Sequence, residues 1–573
     1  MYIDIASIRY RYRGEFDSTQ TYVERDVVRI GHSAFVYQSG TFEKFLPGVA
    51  DADSIGELLV RGETGVKGVR DQHLYLNSNG EPEFRQSLRR NGTTVQALFK
   101  DLTQDGSSGR WGGGYFKHFL MTDGTVRGIG SSNVARLGDG RNDDIGRTFP
   151  ALIPFPDNVG ISSGLDGQNN TFYVDLDGRL WGNGDSEYAG QGNAGDVLTP
   201  HLMNGVGDLP ADAKIIDVGG HQDWSGAARY FCITDDYKLY LWGYGAQGNL
   251  GTGSTSDQYT PFHPPELQDL EIEKCFMAGG DIPATYAITR DGVMYTAGHS
   301  NFSFHSDGRT IFTKYMPWHQ YDETIKVVYV GGQRVDNTYW SSAYRGAEQV
   351  VVIVLSNGEY YFRSTSPNNT TAGWSGYQLD FNRPIAFYGA ENTNVVKALA
   401  RNGATMTHVI LKNDGSVWSK GYGGLGALVG GDSDAWLQLN LPTGETVVKI
   451  SMVGGTWSHD TFALTNNGKI YSWGYNEYGQ QGNGTTGYSG GGNFFSVQRN
   501  PNDYPSPALS EETFIDYSLT GYSGHHSNSV TISRQTVYAL SDKNEVWVWG
   551  DGGYGRNQDD DAEFNTVPHK IIF

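Results

Sequence analysis

Two short motifs have the residue types and spacing of known chemical sites. Residues 243–248 read GYGAQG, which satisfies G-x-G-x-x-G, and residues 160–164 read GISSG, which satisfies G-x-S-x-G. A dinucleotide site needs a helix N-terminus behind its glycines, and a nucleophilic serine needs a strand-to-helix elbow. No helix or βαβ unit is predicted to follow either motif. We therefore interpret both as turn glycines of a β structure.

The sequence contains no convincing metal-binding motif. The sequence has no HExxH, CxxC or Walker motif, and its only adjacent histidines are His525 and His526, which would point to opposite faces of a strand. Residues 51–56 and 559–561 are rich in aspartate like calcium loops, but neither has the downstream bidentate glutamate. We expect no metal site, no cofactor and no enzymatic activity, so that the protein acts by binding.

Composition and charge narrow the classes of partner. The chain has 573 residues, 64 acidic against 43 basic side chains and a formal net charge of −21. Such a charge repels nucleic-acid backbones and anionic membranes, so neither is an expected partner. The two cysteines give no disulfide framework, and we identify neither a transmembrane segment nor a signal peptide. Glycine (78 residues) and aromatic residues (13%) suit short strands joined by tight turns, which predicts an all-β fold.

A hairpin signal repeats along most of the chain. Residues 171–184 (TFYVDLDGRLWGNG) and 461–474 (TFALTNNGKIYSWG) each consist of an apolar strand, a two-residue turn and a second strand. This unit recurs about every fifty to seventy-five residues. The second turn residue of each copy is Gly124, Gly178, Tyr237, Gly292, Gly358, Gly415, Gly468 or Asn544.

The repeat resembles the regulator-of-chromosome-condensation repeat. Residues 473–484 (WGYNEYGQQGNG) match its Trp-Gly and Gly-Gln-Leu-Gly-x-Gly segments, and the resemblance covers about residues 115–573. It implies a β-propeller with about four strands per repeat, because one blade buries both faces only between neighbours in a ring. Eight repeats predict eight blades, with seven as the alternative. We expect the C-terminal residues 568–573 to supply a missing strand to the first blade and so close the ring.

The N-terminal region predicts a separate small all-β module. Its matching positions are Gly14, Phe16, Asp17, Tyr22, Asp26, Val27, Val28, Gly31 and Phe35. The pattern resembles chitinase-type carbohydrate-binding modules and modules of bacteriophage tail proteins. Just before it, Arg9, Arg11 and Arg13 alternate with tyrosines, as on a strand with one cationic face, and either dock on a partner or guard an edge strand. We predict a module at 1–95 that serves for attachment, a linker at 96–114 and the propeller at 115–573.

Aromatic residues and histidines concentrate in loops on one predicted face of the ring. The loops after the glycine-ended strand of each repeat lie on the face opposite the Asp-Gly turns. Aromatic side chains in adaptable loops suit recognition, although they also pack loops. The residues predicted to bind a receptor are Trp224, Trp340, Trp457, His459 and His525.

Three functions fit these features. The first is a bacteriophage virion protein, a tail fibre or receptor-binding protein, assembled in the host cytoplasm and located in the virion. It would bind other tail proteins through its N-terminal module and a host surface protein or glycan through the propeller. A homo-oligomer is one assembly that fits this function. The alternative is an intracellular protein-binding propeller that regulates or inhibits its partner. A glycan-degrading enzyme is a further alternative without an identifiable carboxylate pair. We expect the first.

Overall fold

The structure is a computed structural model that describes most of the chain from residue 94 onwards. The gaps lie at residues 103–114, 144–145, 157–158, 193–194, 223–227, 279–282, 300–307, 321, 336–347, 365–393, 403–405, 422–432, 455–458, 487–494, 497–511, 527–529, 554–555, 557–563 and 572. In residues 1–93 the described parts are the backbones of seven strands: β1 (Tyr2–Ile5), β2 (Ile8–Glu15), β3 (Asp26–Ile30), β4 (Ser33–Gln38), β5 (Thr41–Lys44), β6 (His73–Leu76) and β7 (Pro82–Arg85).

These N-terminal strands form a sheet of their own. Strands β1 to β5 pair in chain order, and β6 pairs with β7 as a separate hairpin. The pairs are antiparallel except β2 with β3, which is parallel. The predicted small all-β module is confirmed in its fold class.

Eight further sheets follow, one for each predicted repeat, so the all-β class and the eight-bladed propeller are confirmed. The first blade contains β8 (Val95–Leu98), and the short β9 (Lys100–Asp101) follows it; the blade continues with β10 (Phe116–Met121), β11 (Val126–Gly130) and β12 (Arg147–Leu152). The second blade contains β13 (Ile161–Asp166), β14 (Asn170–Asp175), β15 (Leu180–Gly184) and β16 (Val197–Leu202), with β9 added in parallel to β13. The third contains β17 (Ile215–Gln222), β18 (Ala228–Thr234), β19 (Leu239–Gly243) and β20 (Gln258–Phe262). The fourth contains β21 (Ile272–Ala278), β22 (Ala284–Thr289), β23 (Met294–Gly298) and β24 (Arg309–Lys314).

The second half of the ring has the same plan. The fifth blade contains β25 (Val327–Val335), β26 (Glu348–Leu355) and β27 (Tyr360–Ser364). The sixth contains β28 (Val395–Asn402), β29 (Met406–Lys412), β30 (Val417–Gly421) and β31 (Ser433–Gln438). The seventh contains β32 (Val447–Gly454), β33 (His459–Thr465), β34 (Ile470–Gly474) and β35 (Phe495–Ser496). The eighth contains β36 (Phe514–His526), β37 (Val530–Ser541), β38 (Val546–Asp551) and β39 (Phe564–Lys570).

Helical structure in the described ranges is limited to short 3₁₀ turns. They are Asn133–Ala135, Ala246–Gly248, Pro265–Leu267 and Pro317–Gln320. No helix among the described residues is long and apolar enough to cross a membrane.

The hairpin between the second and third strands of each blade turns through a left-handed residue. All eight second turn positions identified from the sequence have positive φ, from 61° at Asn544 to 83° at Gly178. Glycine adopts this conformation without steric cost, whereas Tyr237 (φ 62°) and Asn544 adopt it with a side chain. The turns form one face of the propeller, called the turn face below.

A belt of backbone hydrogen bonds joins the blades at the turn face. The N–H of the first residue in the first strand of every blade donates to the carbonyl of the second turn residue in the preceding blade, over 2.7–3.3 Å. In each blade, the residue before the first strand accepts a hydrogen bond from the blade's own turn, over 2.7–3.0 Å. The belt includes Val95 N–H to Asn544 O at 3.3 Å, which connects the first blade to the eighth. The ring is therefore closed.

The hydrophobic core is divided among the contacts between neighbouring blades. Each of the eight contacts has its own cluster of buried side chains. At the contact between the eighth and first blades, Tyr538 and Phe573 pack edge-on against Phe119, with ring centroids 5.6 and 5.0 Å apart. Because a blade buries its faces only against its neighbours, these clusters are the main stabilising contacts of the ring.

The prediction that the C-terminal residues 568–573 supply a strand to the first blade is wrong. Strand β39 pairs with β38 in the eighth blade, and the first blade is complete without it because β8 is its first strand. What the C-terminus contributes to closure is apolar packing, since Ile571 and Phe573 lie in the cluster between these two blades. The boundaries at 1–95, 96–114 and 115–573 stay a prediction, although β8 begins at Val95 within the propeller.

Candidate functional site

The predicted loop-face residues lie mostly outside the described ranges. Trp224, Trp340 and Trp457 fall in the connections between the first and second strands of the third, fifth and seventh blades, outside the described residues. His459 begins β33 and His525 lies near the end of β36, so the backbone of both is at the face opposite the turns. Their binding role stays a prediction.

The cationic strand near the N-terminus is described only as backbone. Arg9, Arg11 and Arg13 lie at alternate positions of β2, and Arg9 pairs with Asp4 while Arg11 pairs with Tyr2 and Asp26. A docking role for these arginines also stays a prediction.

The Trp-Gly motif has a structural role. Trp242 Nε1 donates to Tyr188 O of the preceding blade at 3.1 Å, and Trp549 Nε1 donates to Gln480 O at 2.9 Å. Both indoles are fully buried. These two tryptophans therefore fix the third and eighth blades to the loops of the second and seventh, and they are not available to a ligand.

The two motifs with catalytic spacing also lie in ordinary repeat geometry. The helical element after Gly243 is a single 3₁₀ turn of three residues, Ala246–Gly248. Ser162 Oγ donates to the carbonyls of Val174 and Asp175, at 3.0 and 3.1 Å. Among the described residues no group of three or more His, Cys, Asp or Glu side chains is placed to hold a metal ion.

A buried charge cluster lies where the chain enters the propeller. Asp166 accepts hydrogen bonds from Lys117 Nζ at 3.0 Å and from His118 Nδ1 at 2.7 Å, and all three side chains have no exposed surface. Burial alone would raise the pKa of Asp166, but the two neighbours outweigh it and the pKa is lowered. Lys117 Nζ also donates to Phe99 O at 2.6 Å, between β8 and β9. The cluster thus anchors the entering strand and has no solvent access for a substrate.

A second buried histidine is kept neutral. His408 Nδ1 lies 2.5 Å from Tyr360 Oη at the contact between the fifth and sixth blades. Burial lowers the pKa of His408 to about 3 and raises that of Tyr360 well above its usual value. The pair is a neutral hydrogen bond at pH 7.

The turn face has a ring of exposed side chains near the propeller axis. The first strands of most neighbouring blades contact one another, which places them closest to the axis. Seven of these strands, β13, β17, β21, β25, β28, β32 and β36, have a bulge at their second residue, where the register shifts. A bulge frees its extra residue from the pleat and re-aims its side chain. The seven bulge residues, named the axial rim below, are Ser162, Ile216, Glu273, Val328, Val396, Val448 and Ile515.

Aliphatic residues dominate the axial rim. Ile216, Val396, Val448 and Ile515 are 53%, 44%, 58% and 51% exposed, although most residues of this type are buried. Val328, Val396, Val448 and Ile515 belong to four successive blades, the fifth to the eighth. Val328 is partly buried against the cluster between the fifth and sixth blades, whereas the other three are exposed. The four residues form an apolar arc of the kind that marks an interaction site.

Cations beside the axial rim reach across to neighbouring blades. Lys449 Nζ binds Asp516 Oδ1 and Tyr517 O, both at 2.7 Å, and lies 4.5 Å from the centroid of the Tyr517 ring. Lys274 Nζ donates to Val328 O at 3.2 Å. These contacts keep the first strands in fixed positions, so the rim is a rigid surface.

Sequence reasoning missed the axial rim, although a signal was present. Five of the seven strands begin with two adjacent apolar residues followed by a polar or aromatic one, as in IID at 215–217, VVK at 395–397 and VVK at 447–449. Two successive apolar residues break the period of two, and a bulge is the physical reason for the break. The second apolar residue is then the exposed one.

Comparison with known proteins agrees with the repeated blades of the propeller. A family model described as the regulator of chromosome condensation (RCC1) repeat matches residues 447–480. The ultraviolet-B receptor UVR8 of Arabidopsis thaliana is 26% identical over 426 residues, which cover 72% of this chain and 82% of the receptor. The mitochondrial RCC1 domain-containing protein RUG3 of the same plant is 24% identical, over 59% of this chain and 71% of RUG3. The human regulator of chromosome condensation is 27% identical over 37% of this chain and 47% of its own length.

The chain is a β-propeller of the RCC1 repeat type. Its eight blades, its recurring turns and the matched repeat together define this type.

The expected virion function is wrong. The relatives above are eukaryotic proteins named as a receptor, a regulator and a mitochondrial protein, and none of these names describes a virion component. Tail fibre, host attachment, tail-protein partners and virion location are therefore withdrawn. The alternative of a protein-binding regulatory propeller fits these relatives better, because their names include regulators and a receptor.

Proposed function

We propose that this protein is a regulator or inhibitor that binds a partner protein through the axial rim of its propeller and performs no catalysis itself. The observation that carries the proposal is the apolar arc, in which Val396, Val448 and Ile515 are exposed. Ile216 on the rim and Leu176 at the turn of the second blade add exposed apolar side chains to the same face. Interfaces concentrate their energy in a few apolar or aromatic side chains that lose water on binding. A rigid ring also loses little conformational entropy when it binds.

Its relatives support binding as the mode of action. Two of them are named as a receptor and as a regulator, and a propeller fold by itself defines no reaction. The loop face with Trp224, Trp340 and Trp457 stays a second candidate surface for the same function.

The test compares two sets of substitutions in the full chain. Ile216→Asp, Val448→Asp and Ile515→Asp place charge on the axial rim. Leu198→Asp, Leu202→Asp and Ile311→Asp are the matched control, because these residues on fourth strands are 43%, 39% and 40% exposed. Proteins crosslinked to each variant in cells are quantified, and the leading partner is then reconstituted from purified components.

The rim variant should bind the reconstituted partner at least about tenfold more weakly than the parent, because each introduced carboxylate would be buried at the interface. The control should bind as the parent does, and both variants should melt like the parent since the substituted positions are exposed. Unchanged affinity of a folded rim variant would move the binding site elsewhere.

A further inference from the structure

The turn face differs between its two halves. The apolar arc occupies the fifth to eighth blades, where the two exposed tip residues of successive turns are 356–357, 413–414, 466–467 and 542–543. These tips are mostly Asn or Ser, with Asp414, Asp542 and Lys543 as the charged residues. The apolar half therefore has little net charge.

The first four blades present carboxylates at the same positions. Their exposed turn tips include Asp123, Asp177, Asp235, Asp236 and Asp291, with Arg290 as the one cation among them. Exposed apolar residues are not confined to the other half, because Leu176 at the turn of the second blade and Ile216 on the rim are 72% and 53% exposed. Thr234 and Thr289 hydroxyls donate to Asp236 and Asp291, which holds these carboxylates in place at the tips.

Nearby cations neutralise only part of this charge. Arg179 forms an ion pair with Asp177 at 3.2 Å, and Arg290 forms one with Glu271 at 2.9 Å. Within the described ranges no ion pair involves Asp235, Asp236 or Asp291. The turn tips of the first four blades are thus more acidic than those of the last four, although the exposed Lys214 lies beside the turn of the second blade.

We infer that the turn face binds a protein segment with an apolar part and a cationic part, the apolar part on the fifth to eighth blades and the cationic part on the first four. This inference rests on the proposed function and specifies the chemistry of its partner. Complementary charge steers the approach and fixes the orientation, while the apolar contact supplies most of the affinity. The rigid belt of hydrogen bonds beneath the tips keeps the two halves in fixed relation.

The probe is a synthetic peptide in which a leucine-rich half precedes a lysine-rich half, together with a peptide of the same composition in which leucine and lysine alternate. Binding to the full-length protein is measured by fluorescence anisotropy at low and high salt. A photo-crosslinking amino acid replaces Val448 in one sample and Asp291 in another, and the crosslinked peptide half is identified by mass spectrometry.

The segmented peptide should bind at least about fivefold more tightly than the alternating one, and more weakly at high salt because screening removes the charge contacts. The leucine-rich half should crosslink at position 448 and the lysine-rich half at position 291. Equal affinity of the two peptides, or crosslinks without this polarity, would overturn the inference.

Charge variants separate the two halves. Asp235→Asn, Asp236→Asn and Asp291→Asn together should weaken binding of the segmented peptide about fivefold or more and reduce its salt dependence. Asp414→Asn with Asp542→Asn, at equivalent turn positions of the apolar half, should have a smaller effect. Equal effects of the two sets would contradict an acidic half.

Two further outcomes distinguish failure of this inference from failure of the proposed function. If the rim variant loses its partner but the aspartate variant keeps both affinity and salt dependence, the inference fails and the proposed function stands. If the rim variant keeps its partner, the proposed function fails. A third variant, Arg9→Ser, Arg11→Ser and Arg13→Ser, tests the chain's own cationic strand as the occupant, and tighter peptide binding by this variant would replace an external partner with that strand.

Discussion

At the scale of single residues, the second turn position governs how closely neighbouring blades approach. At Gly358, φ is +80°, and a Cβ atom would lie 2.3 Å from Asn394 N and 2.7 Å from Asn394 Cα. These are backbone atoms of the segment that starts the next blade, so they have little freedom to move. At Gly444, φ is +87° and a Cβ would meet nothing within 4 Å. The two glycines share a conformation and differ in their surroundings.

Alanine substitutions at Gly444 and Gly358 separate the cost of backbone strain from the cost of a steric clash. Gly444→Ala should cost about 1 kcal/mol, because an L residue is strained in the left-handed region. Gly358→Ala should cost about 2–4 kcal/mol, since it adds a clash with backbone and weakens the hydrogen bond from Val395 N–H to Gly358 O. Urea unfolding of both variants measures the difference, and equal losses would mean that the contact between blades is loose.

The turn positions are also where sequence reasoning succeeded. All eight were identified because Asp-Gly and Asn-Gly turns between apolar strands have a strong local signal, and even Tyr237 and Asn544 were found from their spacing. The axial rim was missed because it depends on a bulge, which changes the direction of one side chain without changing its residue type. Exposure of Ile216 or Val448 follows from that geometry rather than from their apolarity.

At the scale of elements, the entry strand explains why ring closure was predicted wrongly. The first strand of the first blade, at residues 95–98, contains no glycine, unlike its counterparts β17 and β32. Because this glycine is absent, the sequence pattern indicates no first strand for this repeat. The prediction that the C-terminus supplies the missing strand followed from that. In place of the glycine, the segment continues into β9 and is held by Lys117 and the other members of the buried charge cluster.

The charge cluster yields a prediction about this element. Asp166→Asn should destabilise the propeller by about 3–5 kcal/mol, because it leaves the Lys117 cation buried without its counter-ion. Adding Lys117→Met should recover part of that loss by removing the unpaired charge. Asp516→Asn is the control: it breaks an ion pair with Lys449 whose side chains are 40% and 28% exposed, and should cost about 1 kcal/mol or less.

Chemical denaturation of the parent, Asp166→Asn, Lys117→Met and the double variant, compared as a double-mutant cycle beside the Asp516→Asn control, tests this role. A loss at Asp166 no larger than that at Asp516, or a double variant weaker than the single, would show that the cluster does not anchor the strand.

At the scale of the whole molecule, the ring has eight similar contacts between blades, and the chain directly connects the blades at all but one of them. Seven contacts join blades that follow one another in the chain, whereas the contact between the eighth and first blades joins the two ends of the propeller. It is formed by the belt hydrogen bond from Val95 to Asn544 and by the apolar cluster that includes Ile571 and Phe573. Because the chain does not connect these blades, this contact alone must be stabilised entirely by non-covalent forces.

Removal of residues 571–573 should therefore open the ring at this contact before any other. Ile571 and Phe573 are almost fully buried, and their loss removes about 3–6 kcal/mol of apolar burial while leaving β39 paired with β38. Phe312→Ala, which leaves a cavity between the third and fourth blades, should cost a comparable amount without opening the ring because the chain connects those blades. Hydrogen exchange followed by mass spectrometry should show faster exchange in β10 and β37 for the truncated protein, and in β18 and β22 for Phe312→Ala. If the truncation accelerates exchange equally in all eight blades, the propeller unfolds as one cooperative unit and the contact between its ends is no weaker than the rest.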